Sequence, residues 1–112
     1  MHNPFQQQLM DHSFRVIELA RPLVAAIARR DRDLGSQVRR ALNSVSLNLA
    51  EGIGSGAGIA RLRFESARGS LFEARAGLRA AIAWGYVPAQ QCAEALETSD
   101  RLAARLYGLS QR

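Results

Sequence analysis

The 112-residue sequence has no lysine: all fifteen of its basic residues are arginine. That absence excludes a Schiff-base lysine and the lysine of a phosphate-binding P-loop. A single cysteine, Cys92, excludes an intramolecular disulfide and any zinc site built on paired cysteines. Histidine is nearly as scarce, with only His2 and His12, and neither has a second metal-ligating residue at helical spacing. No apolar run approaches the length needed to cross a bilayer, and the opening MHNPFQQQLMDHSF lacks the charged-then-apolar pattern of a signal peptide. A cytoplasmic location with no membrane partner is the expectation. Aromatic residues, at 6 %, are too few and too scattered along the chain to announce a base-stacking platform.

What is present points to helices. One domain is expected, able to bury roughly two-thirds of its unfolded surface. The net charge is +5. Codon usage in a GC-rich genome would produce the same richness in alanine, glycine and arginine. The chemistry of arginine holds either way, since its planar fork pairs in bidentate fashion with carboxylate or phosphate.

The stretch Gln37 to Gly58 organises the chain. Val38, Leu42, Val45 and Leu49 step by four, three and four, which places them on one narrow face suited to a bundle seam. Arg40, Ser44, Asn48 and Glu51 form a second row on roughly the opposite side. Glycine at 52, 54, 56 and 58 then predicts that the helix stops, because each costs about 1 kcal/mol against alanine. The run GIGSGAGI does not complete G-x-G-x-x-G at either offset and follows a helix, so it reads as an interhelical turn and not as a nucleotide cradle.

The same reading predicts four helices over about residues 11–30, 37–51, 59–84 and 89–107, an all-α antiparallel up-down-up-down four-helix bundle. Residues 1–10 read as a loose or partly helical lead-in, partly disordered, with the disorder at its very start. In the first helix, Met10, Phe14, Ile17, Val24 and Ile27 fall near one face, and Pro22 predicts a kink near Glu18–Arg21. Asp33 or Ser36 is the expected N-cap of the second helix. The third carries Phe64, Ala67, Leu71, Leu78 and Ile82 on its apolar stripe, with Ala74 and Ala81 at the edge. Gly69 and Gly77 within it mark candidate close helix crossings, and Gly85 ends it. The fourth repeats Cys92, Leu96, Ser99, Ala103 and Leu106, with Glu97 and Arg101 as an i, i+4 pair and Gly108 breaking its last turn.

Three elements, Gln37-Val38-Arg39-Arg40-Ala41 with Ser44, Asn48-Leu49-Ala50-Glu51-Gly52, and Ala67-Arg68-Gly69-Ser70-Leu71 with Glu73, followed by Gly85-Tyr86, resemble the bacterial four helix bundle protein family. That family is also known as the ribosomal-RNA intervening-sequence proteins. Ser46 stands where the family usually has proline, and Gly54–Gly58 replaces its basic-polar turn. The resemblance implies a bundle that assembles into a ring, typically a pentamer, without known catalysis. A related branch, the accessory variability proteins of diversity-generating retroelements, is similar in fold and implies contact with nucleic acid or a reverse transcriptase.

The family motif falls on Arg40, Ser44, Asn48, Glu51, Gly52, Gly69, Ser70 and Glu73, and of these Arg40, Ser44, Asn48, Glu51, Gly69, Ser70 and Glu73 are candidates for an oligomer interface. The plain alternative is an ordinary exposed polar face on a monomer. Arg61, Arg68, Arg75 and Arg79 form a ridge along the third helix. Such a ridge serves as a solvated flank, as the partner of acidic residues on a neighbouring helix, or as a nucleic-acid contact. Glu51 and Glu73 are the only carboxylates that the family pattern pairs, and nothing in the sequence brings them to one cleft. No catalytic residue, cofactor, metal or small-molecule substrate is expected.

Overall fold

In the computed structural model, which describes residues 3–111, four helices follow one another: α1 (Pro4–Arg30), α2 (Arg32–Ile53), α3 (Ala57–Ala83) and α4 (Ala89–Ser110). Each packs on its neighbours in sequence, and α1 closes the square against α4. Short connections force successive helices antiparallel, which gives the up-down-up-down bundle. The molecule is a rod of 42 × 22 × 22 Å, the length set by its 27-residue helices at about 1.5 Å per residue.

Helix α1 starts earlier than expected. Pro4 takes the first helical position, where its missing N–H costs nothing, and the Asn3 side chain accepts a hydrogen bond from the Gln6 N–H at 2.7 Å. The stretch from Pro4 to Met10 is therefore helix and not a loose lead-in; the expected disorder at residues 1–2 lies outside the described residues. The helix also runs unbroken through Pro22, which lies on the exposed side, where the Glu18 carbonyl left without a donor can reach water.

Asp31 alone separates α1 from α2. Its carboxylate accepts from the Leu34 N–H at 2.9 Å and is the N-cap, in place of the expected Asp33 or Ser36. The glycine turn is shorter than its sequence suggests: α2 continues through Gly52 to Ile53, and α3 begins at Ala57, before Gly58. A Cβ on Gly52 would lie 2.8 Å from the Phe64 ring, so this glycine lets α3 approach α2 closely. Gly85, at φ +79°, ends α3 as expected. Helix α4 passes through the exposed Gly108 and ends at Ser110, two residues beyond the expected break.

The core is built from Leu9, Val16, Ala20, Leu23 and Ile27 of α1, the α2 seam, Ala67, Leu71, Ala74, Leu78 and Ala81 of α3, and Cys92, Ala95, Leu102 and Leu106 of α4. All four α2 seam residues are buried, and so is Ile27 of the expected α1 stripe, whereas the rest of that stripe is out of phase by one residue. Phe14 is 46 % exposed, and Met10, Ile17 and Val24 are only partly buried. Phe64, Ile82 and Leu96 likewise sit at the margin of the core. Two of the buried serines meet across α1 and α2: Ser13 donates to the Met10 carbonyl and accepts from Ser46 at 2.9 Å.

Candidate functional site

The polar row of α2 turns out to have two halves. Ser44 and Asn48 are half-buried at the α2–α3 seam, where Ser44 bonds Ser70 at 2.9 Å and the Asn48 amide donates to the Ser44 carbonyl and hydroxyl. These groups hold α3 against α2 within one protomer. Arg40 and Glu73 are exposed, and neither makes an ion pair among the described residues. Glu51 is exposed and pairs with Arg63 at 3.0 Å, a partner that sequence reasoning missed because the reach across the turn depends on where α3 begins. Arg63 sits ten residues from Glu73 along α3, about 15 Å at helical rise, so the two carboxylates do not share a cleft.

Gly69 and Gly77 part company. A Cβ on Gly77 would lie 2.5 Å from the Val38 γ2 methyl, a close crossing of α3 over α2. Gly69 is exposed and has nothing within 4 Å, so no crossing inside the protomer explains it.

Helix α2 is flanked by two unlike grooves. On the α2–α3 side, Arg40, Ser44, Asn48, Glu51 and Arg63 surround Leu47, which is 67 % exposed, and Leu62, 62 % exposed, lies beyond Arg63. On the α1–α2 side the lining is largely apolar: Met10, Phe14, Ile17, Val24, Leu42 and Ile53 with Arg21 and Arg39. Leu47 could have been found from its position two residues after Val45, out of phase with the seam.

The arginine ridge of α3 is largely occupied within the chain. Arg75 pairs with Asp100 of α4 and lies over the Phe72 ring at 5.3 Å, and its buried Nε finds no hydrogen-bond partner among the described residues. The Arg68 guanidinium sits over Phe72 at 5.0 Å and Tyr107 at 4.9 Å, bracing α3 against α4 by cation–π contact. Arg61 and Arg79 are exposed.

Two titratable groups are displaced from their ordinary behaviour. Burial pushes the Cys92 thiol up, away from the reactive thiolate. His12 is held below its usual value, chiefly by burial; its bond to the Thr98 carbonyl works the other way, and the charges of Arg105 and then Arg101 add smaller lowering effects. Arg105 can only donate, so it donates to Nδ1 at 2.9 Å, and the ring proton sits on Nε2, which donates to Thr98 at 3.1 Å. No group of three metal-ligating side chains occurs among the described residues, and no helix there is long and apolar enough to cross a membrane.

Four antiparallel helices around an apolar seam, with their distinctive polar chemistry on the flanks of α2, define a four-helix-bundle protein. The chain belongs to the 23S rRNA-intervening sequence protein family, whose pattern it matches over residues 6–108. Comparison with curated proteins and with solved structures gave no match.

Proposed function

We propose that the chain is a non-catalytic cytoplasmic scaffold that assembles with copies of itself into a ring, the family resemblance favouring a pentamer. The observation that carries this reading is the pair of unlike grooves on either side of α2. Contacts between unlike patches generate rings when the rotation closes, whereas a two-fold dimer needs only one self-complementary patch. The exposed Phe14 marks one groove and the exposed Leu47 the other. Arg40 and Glu73 supply charges that make no ion pair among the described residues, fit to orient a neighbour more than to tighten it. Gly69 supplies a place where a second backbone can come close.

Light scattering on the chain at micromolar concentration tests the reading. The expected mass is a multiple of 12.3 kDa, and a strictly monomeric mass overturns it. Phe14→Asp and Leu47→Asp should each yield monomers. Mixed together they should form a pair, because one intact groove of each kind survives. Recovery of no mixed species would argue against unlike patches.

A second reading is sequence-tolerant binding of nucleic acid, or of an enzyme acting on it, favoured by the +5 charge and by the exposed Arg29, Arg30, Arg32, Arg61 and Arg79. A ring multiplies that charge. Affinity for duplex DNA or structured RNA should fall steeply as salt rises, and a flat salt dependence overturns it.

A further inference from the structure

The end of the bundle formed by the α1–α2 and α3–α4 turns carries an aromatic stack that none of the preceding readings uses. Trp84 and Tyr86 flank Gly85, and their rings lie 6.4 Å apart between centroids and within 16° of parallel. Gly85 makes this possible, since its φ of +79° reverses the chain and returns Tyr86 beside Trp84. The Arg30 guanidinium covers Tyr86 at 5.4 Å, and the Tyr86 hydroxyl donates to Asp31 at 3.4 Å. Arginine, tyrosine and tryptophan thus stand in series. Trp84 closes the series and is 71 % exposed, the largest value among the exposed bulky apolar side chains.

We infer that the outer face of Trp84 is a stacking platform for a base of single-stranded nucleic acid, with the adjoining arginines receiving the phosphates. This rests on the nucleic-acid reading and assigns it a place. An indole left in water costs hydrophobic free energy, and this one lies nearly parallel to Tyr86 with its outer face open. Base–aromatic stacking tolerates any sequence because every base has a π face, and a duplex keeps those faces hidden. The neighbouring charge has the matching sign. Arg29, Arg30 and Arg32 are exposed in the α1–α2 turn, whereas Asp31 is occupied in capping α2, leaving Asp33 as the exposed acid there. The other arginine–aromatic cluster, at Phe72 and Tyr107, is a poorer candidate because Arg68 and Arg75 already cover its rings.

Trp84 is the chain's single tryptophan, so its emission reports on this surface alone. The full chain is titrated at low salt into fluorescein-labelled oligothymidylate of about ten nucleotides, within the usual range of single-strand site sizes; the label's anisotropy reports binding in every variant, and Trp84 emission reports contact in the wild type. The expected result is saturable quenching, with Trp84→Ala binding about 5- to 150-fold more weakly, the loss of one stacked base. Trp84→Phe should recover most of the affinity, and all three proteins should keep the same salt slope, since their arginines are unchanged. Binding without quenching, equal in wild type and Trp84→Ala, overturns the platform while leaving the charge-driven reading standing. No binding at all overturns both. A blue shift on anionic phospholipid vesicles with neither binding nor quenching on the oligonucleotide assigns the surface to lipid and overturns the inference.

Discussion

Replacing Gly77 and Gly69 by alanine, one at a time, separates helix propensity from packing within a single helix. Both glycines lie inside α3, and alanine in either place gains about 1 kcal/mol of propensity. At Gly69 nothing lies within 4 Å, so the gain stands alone. At Gly77 the new methyl would meet the Val38 γ2 carbon at 2.5 Å, a separation at which something must move. Val38 is 1 % exposed, and a β-branched side chain in a helix holds one rotamer strongly, so it cannot swing aside. Overpacking of that kind costs about 1–3 kcal/mol. Gly69→Ala should therefore raise stability by about 1 kcal/mol, some 4–8 °C in melting temperature for a domain of this size, while Gly77→Ala comes out neutral to about 2 kcal/mol less stable. Urea titration followed by far-ultraviolet circular dichroism measures both, at one fixed protein concentration because self-association would shift the midpoint. Should Gly77→Ala prove as stable as Gly69→Ala, the close crossing of α3 over α2 is refuted. Should Gly69→Ala lower the assembled mass while stabilising the fold, a neighbouring backbone approaches there.

Ser13→Ala should cost about 1–3 kcal/mol by leaving the buried Ser46 hydroxyl without its acceptor, whereas Ser13→Ala combined with Ser46→Ala should cost less than the two single changes summed. A denaturant double-mutant cycle measures the coupling. Asp100→Asn should destabilise by at least about 1 kcal/mol more than Glu97→Gln, because Arg75 is largely buried and the Glu97–Arg101 pair is exposed. Equal losses in urea midpoint would contradict the buried position of Arg75. Stability should also fall with acidity through His12: its folded value lies below 6.5, so the unfolded chain takes up the proton first as pH drops past 6.5. The loss begins there and levels off once pH is below the folded value. Midpoints compared from about pH 8 to about pH 5 should show this slope in wild type and a reduced one in His12→Gln, while an unchanged slope removes His12 as its source.

The α2 seam was legible because Val38, Leu42, Val45 and Leu49 offer a single apolar phase. Helix α1 offers two, one through Leu9, Val16 and Leu23 and another through Met10, Ile17 and Val24, each at heptad spacing. Periodicity finds the wide stripe but cannot rank its halves. Packing against both α2 and α4 buries the first most deeply and leaves the second to rim a groove. The glycines misled for a related reason. Propensity counts the cost of Gly52 in a helix, but not the close approach to Phe64 that its missing side chain permits. The pairing of Glu51 with Arg63, and the meeting of Arg30 with Tyr86, depend on turn geometry between distant segments, which no local spacing records.

An even number of antiparallel rods brings the start of α1 and the end of α4 to one pole. Arg105 lies over Phe5 at 5.5 Å there, and Asn3, Ser55 and Leu109 border the same hollow, so the glycine turn shares that pole. An affinity tag or fusion partner joined ahead of α1 or after α4 therefore tethers the rod by its base and leaves the Trp84 tip pointing away from the support. A short linker from the end of α4 to the start of α1, with new ends cut at Gly54–Gly56, gives the circular order α3-α4-α1-α2 without asking any helix to move.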